Sequence, residues 1–466
     1  MRRLISLRGV VTPLAVAVAA LVGLPGTALA HQLNGRFESP LPLAVYLAGA
    51  AIAVALSFGL VLGRRELPRP IPAPGPPFVV PRWVRLGLAG AGLLGWAWAL
   101  VVSLVVAVPT DADPGSLFLW VYGWVGLALV SALVGPAWSW LDPFSTLARI
   151  AGRVGRAFGV DGPAAATYPR RLGRWPAVAG LAFFIWLELA VTGGGGGRVL
   201  GLALLGYTAV TLGAMLVYGR TAWRAQGETF SVWFELIGRL APLVLDGPPE
   251  AGRLRRRRFT SGLFRRDWQA AELSLVALAV AGVIFDGLSQ TDVWFNLLGQ
   301  HTVASATVQL AVFAGVVIGL ALLVAHVSGP AAVGAGLVPI ATGYIIAHYL
   351  TLLLIDGQRI VLVLDDPFGQ GWHWLGLAGW EPSGAWLPPP AAWAGMFAAV
   401  VGGHVVGALS GHGAAALEAA AEVETLGEAT ALRRLRRREL PLACLMVGLT
   451  VLTLWSLGQQ LVRPAT

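Results

Sequence analysis

Ten apolar runs, each long enough to cross a bilayer, recur along the chain at 42–63, 84–108, 117–135, 175–192, 199–219, 270–285, 303–327, 331–355, 391–408 and 441–461. A transmembrane helix needs about 20 predominantly apolar residues. A water-soluble fold has no place to bury ten of them. The 466 residues are 56% hydrophobic and only 12% charged, about half the charged share of an ordinary soluble domain. That composition excludes a soluble globular protein and a disordered one. The pattern predicts an all-α fold, a polytopic transmembrane helix bundle of about ten spans.

The charges orient the bundle. All 33 basic residues are arginine. With the mature N-terminus outside, 26 of them fall in inner loops, four in outer segments and three in the N-terminal leader. This asymmetry is the positive-inside pattern. It predicts a multi-pass protein of the plasma membrane with both mature ends outside. The densest run, RLRRRR at 253–258, then reads as an inner stop signal that also meets anionic lipid. The expected partner is therefore the lipid bilayer, with no nucleic acid; nothing in the sequence specifies substrate or oligomeric state. The absence of lysine excludes a phosphate-loop lysine and Schiff-base chemistry. The single cysteine, Cys444, excludes an internal disulfide and any CxxC motif.

Residues 1–30 read as a signal peptide. Arg2, Arg3 and Arg8 precede an apolar stretch and Ala28-Leu29-Ala30 matches a cleavage site. Cleavage after Ala30 would leave His31 as the terminal residue, with an α-amine and an imidazole able to grip a transition metal together. Residues 31–466 read as one transmembrane domain. A proline-rich stretch at 64–82 reads as a stiff cytoplasmic linker. Segments 141–158 and 228–243 read as interfacial helices, each with an apolar stripe opposite polar residues. The tripeptide Asp-Pro-Phe follows both the third span (Asp142) and the eighth (Asp366). Those places correspond under a five-plus-five inverted repeat, a plan common among secondary transporters. The eighth run also carries Gly334, Gly336, Pro339 and Gly343, which suit either an interrupted helix or close packing.

Ionisable groups inside spans are costly and mark function. Most of them collect toward the outer face. Glu188, Asp286 and Asp356 are the candidate catalytic carboxylates, and His31, His301 and His348 the candidate metal ligands. Histidines with carboxylates on one face suit zinc, iron or copper, and such a metal could activate water. His326 and His404 lie in the inner half.

Four stretches, HQLNGRFESPLPL at 31–43, YPRRLGRWPAVAGLAFFIWLE at 168–188, FDGLS at 285–289 and GYIIAHYLTLLLIDGQ at 343–358, resemble an actinobacterial group of polytopic membrane proteins, the fenitrothion hydrolase-like family. The resemblance runs from His31 through about the ninth span. It implies hydrolysis of phosphotriester-type substrates and assigns no role to any residue. Three functions follow from these readings. They are a metal-dependent hydrolase with its site near the outer face, a secondary transporter or metal-handling permease, and a non-catalytic membrane assembly factor.

Overall fold

The computed structural model describes residues 47–50, 52, 73–106, 113–158, 165–192, 195–299 and 302–457. The signal peptide, His31, His301 and nearly all of the first expected span lie outside the described residues. Within them the molecule is an all-α bundle with one small sheet. Eight helices are long and apolar enough to cross a membrane. They are α1 (Arg82–Val105), α2 (Pro114–Leu133), α5 (Gly197–Tyr218), α7 (Ala270–Ser289), α8 (Val303–Ser328), α9 (Pro330–Leu354), α10 (Pro389–Leu426) and α11 (Glu428–Leu457). Each coincides with an expected span. The expected span at 175–192 is a shorter apolar helix, α4 (Trp175–Ala190).

Three elements differ from their expected form in ways that matter for the site. The run at 270–285 extends to Ser289, so Asp286 sits within α7 and not in a loop. Ala, Val and Leu surround α7 on every face, and a helix apolar all round belongs in the middle. The whole helix is indeed enclosed, packed by α4, α8, α9 and α11. A capping box starts it, with Gln269 N donating to Glu272 Oε2 at 2.8 Å.

Helix α9 is continuous through Pro339. Its glycines serve close packing. A Cβ on Gly343 would stand 2.5 Å from the Ala399 carbonyl, and one on Gly407 would stand 2.5 Å from that of Gly336. The backbones of α9 and α10 therefore touch along an antiparallel seam, with α11 closing its side.

Helix α2 is π-wound from Leu117 to Gly126. Asp113 ties its start to α5, accepting from Gly115 N at 3.0 Å and Gly197 N at 2.6 Å.

The arginine-rich loops gather at one end of the bundle. There Arg253–Arg256, the charge run, is the central strand β3 of an antiparallel sheet between β1 (Pro77–Val79) and β2 (Leu243–Leu245). Helix α3 (Pro143–Ala157) is N-capped by Asp142, whose Oδ1 accepts from Ser145 N at 3.0 Å. Its later apolar residues Ile150 and Val154 are exposed beside the arginines. Helix α6 (Thr229–Ile237) is buried along its length except at Glu235, which is exposed. Its cap, Glu228, is fully buried and accepts from Tyr207 Oη at 2.6 Å and Ser231 N at 2.7 Å. The Ala- and Arg-rich stretch after the ninth span is a helical hairpin, with α10 and α11 meeting at Gly427 (φ 74°) and joined by Arg438 to Glu422 at 3.0 Å.

Spans two and five (α1 and α5) pack together, as do spans seven and ten (α8 and α11), but the close packing of spans eight and nine (α9 and α10) has no comparable counterpart between spans three and four (α2 and α4). The two Asp-Pro-Phe tripeptides differ locally. Asp142 starts a helix, whereas Asp366 closes an irregular turn by accepting from Gln370 N at 2.9 Å and Gly371 N at 2.6 Å.

Candidate functional site

The end of the bundle opposite the arginines holds a buried polar site. His348 of α9 and Asp286 of α7 meet there, with Nε2 2.7 Å from Oδ2. Both side chains are almost wholly enclosed, at 5% and 4% exposure. Gln290, one turn beyond Asp286, donates through Nε2 to Asp286 Oδ1 at 2.8 Å. Tyr349, next to His348, lies beside Asp286 and the indole of Trp124. The π-wound stretch of α2 carries Trp124, whose ring stacks on Trp233 of α6 with centroids 5.6 Å apart. Four helices thus hold one aspartate.

Glu188 of α4 is the second carboxylate. It is 8% exposed and lies within electrostatic reach of Asp286. The approach of α4 to α7 depends on Gly282. A Cβ there would stand 2.9 Å from Ile185 Cδ1. Ile185 and Glu188 share one face of α4, and Gly282 and Asp286 share one face of α7. A glycine in α7 therefore lets two acidic side chains converge. Glu188 lines a small cavity with Trp124, Ile185, Leu189, Ala279, Gly282, Val283 and Tyr349. The cavity offers about 10 Å³ to water centres, room for about one water molecule.

Of the six residues singled out from sequence, the structure brings Glu188, Asp286 and His348 together. Asp356 stands on the turn after α9, half-exposed, with its Oδ1 3.5 Å from Arg359 Nε. Eight residues, about 12 Å of helix, separate it from His348. His31 and His301 lie outside the described residues. Among the described residues no group of three or more His, Cys, Asp or Glu side chains is arranged to hold a metal ion. Asp286 and His348 supply two donors of the type that zinc, iron or copper takes.

Sequence reading missed Tyr349, Gln290 and Trp124. Helical spacing from Asp286 points to Gln290, but no local signal points to Trp124, which arrives from a distant span.

The inner-half histidines have separate partners. His404 of α10 is fully buried, with Nδ1 2.8 Å from the Val400 carbonyl and Nε2 3.3 Å from Tyr344 Oη. His326 is exposed at the end of α8.

Compared with protein-family models, with curated proteins and with solved structures, the chain matches none significantly. Fold and site together define an all-helical, multi-pass integral membrane protein with a carboxylate–histidine cluster enclosed among its helices.

Proposed function

We propose that the protein is a proton-coupled secondary transporter, with Glu188, Asp286 and His348 as its protonation site. One observation carries this reading. Two carboxylates and a histidine converge inside the bundle, with His348 in direct contact with Asp286. Charges in such a place are strongly disfavoured unless they serve transfer of an ion or a proton. Asp286 is held by His348 and Gln290 and is the fixed member. Glu188 faces a one-water cavity and is the member free to exchange a proton with solvent.

The family resemblance favours hydrolysis of phosphotriester-type substrates. A histidine oriented by a carboxylate supports that chemistry too, since such pairs align both general bases and metal ligands. The cavity beside Glu188 takes one water and not a triester, which weighs toward proton transfer. The assembly-factor reading is favoured by side chains that stand apart with separate backbone partners, and the contact of His348 with Asp286 weighs against it.

The test is reconstitution of the purified protein in vesicles with an imposed proton gradient and an internal pH dye. Wild type is expected to dissipate the gradient faster than protein-free vesicles. Glu188→Gln and Asp286→Asn are expected to match the protein-free rate. Equal rates for wild type and empty vesicles, or for wild type and both variants, overturn the reading.

A further inference from the structure

Three of the described histidines lie inside the bundle, and all three lie along one seam, where α9, α10 and α11 meet. His348 is at one end, bonded to Asp286. Tyr344 follows one turn along α9 and reaches His404 of α10. Thr453 of α11 lies beside Tyr344, with its hydroxyl buried. At the arginine-rich end His412 of α10 meets Glu439 of α11, with Nδ1 2.5 Å from Oε1. Glu439 is 2% exposed, and its Oε2 is buried with no hydrogen-bond partner.

The close contacts fix the order of these groups. Gly343 opposes Ala399 and Gly403, Gly407 opposes Gly336, and Gly411 opposes Ala332. His412 is therefore level with the first turn of α9. From there to His348 is about 17 residues, or about 25 Å of helix rise. The hydrocarbon core is about 30 Å thick. The line of protic groups nearly crosses the membrane.

It has one break. Between His404 and His412, about 12 Å apart along α10, Gly407 and Gly411 face α9 and the one hydroxyl on that stretch of α10 is that of buried Ser410. Met446 of α11, fully buried, fills the space over Gly407. Its Cε lies 2.8 Å from where a Cβ on Gly407 would stand and 3.4 Å from one on Gly336. A methionine is unbranched and easily moved.

We propose that this seam is the proton path from the Glu188–Asp286–His348 site to the arginine-rich side, with Met446 as its plug and His412–Glu439 as its far terminus. The proposal rests on the reading of that site as a protonation site. Protons pass between Asp286 and His348, along Tyr344 and His404, and then over water admitted when Met446 swings aside. Only O–H and N–H bonds form and break. Glu439 receives the proton through the oxygen that has no partner. The charged groups around that terminus are Glu422 and Arg438, 3.0 Å apart, Arg434 at 4.0 Å from Glu422, and Glu418 with Arg266.

The same vesicle assay tests the path, read as proton flux per reconstituted protein. Met446→Ala is expected to raise flux several-fold over wild type. His404→Leu and Glu439→Gln are expected to lower it at least several-fold. Each variant is checked for an unchanged melting profile, and His412→Asn, nearer the end of the seam, serves if His404→Leu does not fold. Labelling of Glu188 by a hydrophobic carbodiimide, mapped by mass spectrometry, should persist in all of these variants. If Met446→Ala, Glu439→Gln and the histidine variants all conduct like wild type while Glu188→Gln does not conduct, the path is overturned and the protonation site stands. If wild type does not conduct, both fail.

Discussion

The two ends of this bundle treat buried acids in opposite ways. At the arginine-rich end Glu272, Glu235 and Glu228 have cations or helix-end amides around them. Glu272 is fully buried and is held by Arg174 at 2.9 Å and Arg265 at 2.7 Å. Burial pushes the Glu235 carboxyl up, but Arg239 and Arg174 outweigh it and hold the group below its usual range. The hydrogen bond from Arg265 brings Asp267 down to about 2. At the opposite end the partners of Asp286 among the described residues are a histidine and a glutamine. Glu188 has a cavity. Acids of the first kind act as struts, fixed in one charge state. The second kind is unfavourable to stability alone, which is why function is the better account of it.

Substitutions can break or sharpen that contrast. The largest effect is expected from Asp286→Ala, which strands His348, Tyr349 and Gln290 around a void. Chemical or thermal denaturation should show a loss of about 3–5 kcal/mol, the scale for breaking a buried pair from one side. Glu272→Gln should come next, at about 2 kcal/mol, because two arginines lose a charged acceptor. Glu188→Gln should leave stability unchanged or raise it slightly while abolishing proton flux. A loss as large as that of Glu272→Gln would make Glu188 a strut and erase the contrast.

The smallest effect is expected at Asp267. Its side chain is 80% exposed, so solvent screens the pair and Asp267→Asn should cost under about 1 kcal/mol. The sign with pH follows from its lowered value. The contribution of the pair is present above the ordinary aspartate range and is lost as pH falls through about 2. Acid titration of stability in wild type and Asp267→Asn should converge there.

The sequence made the bundle legible because each span is a local property. Length and apolar content place α1, α5, α8 and α9 to within a few residues. It also marked Glu188, Asp286 and His348, since a charge inside an apolar run stands out alone. Their convergence was not legible. It depends on Gly282 letting α4 and α7 touch, and on α7 being the enclosed central helix, which are facts about packing between distant spans. The reach of α7 past Phe285 was also hidden, because Asp286-Gly287 resembles the end of a run by hydropathy. The arginine run at 253–258 showed its charge but not its pairing. A strand whose partners come from 77–79 and 243–245 leaves no local trace.

The central claim is that Glu188 exchanges a proton inside the bundle. Infrared difference spectroscopy of the reconstituted protein, stepped between alkaline and acidic buffer, tests it most directly. The account predicts a carboxylic-acid C=O band that appears on acidification, shifts in deuterated water, is absent in Glu188→Gln and is displaced in Asp286→Asn. Identical difference spectra for wild type and Glu188→Gln would contradict it.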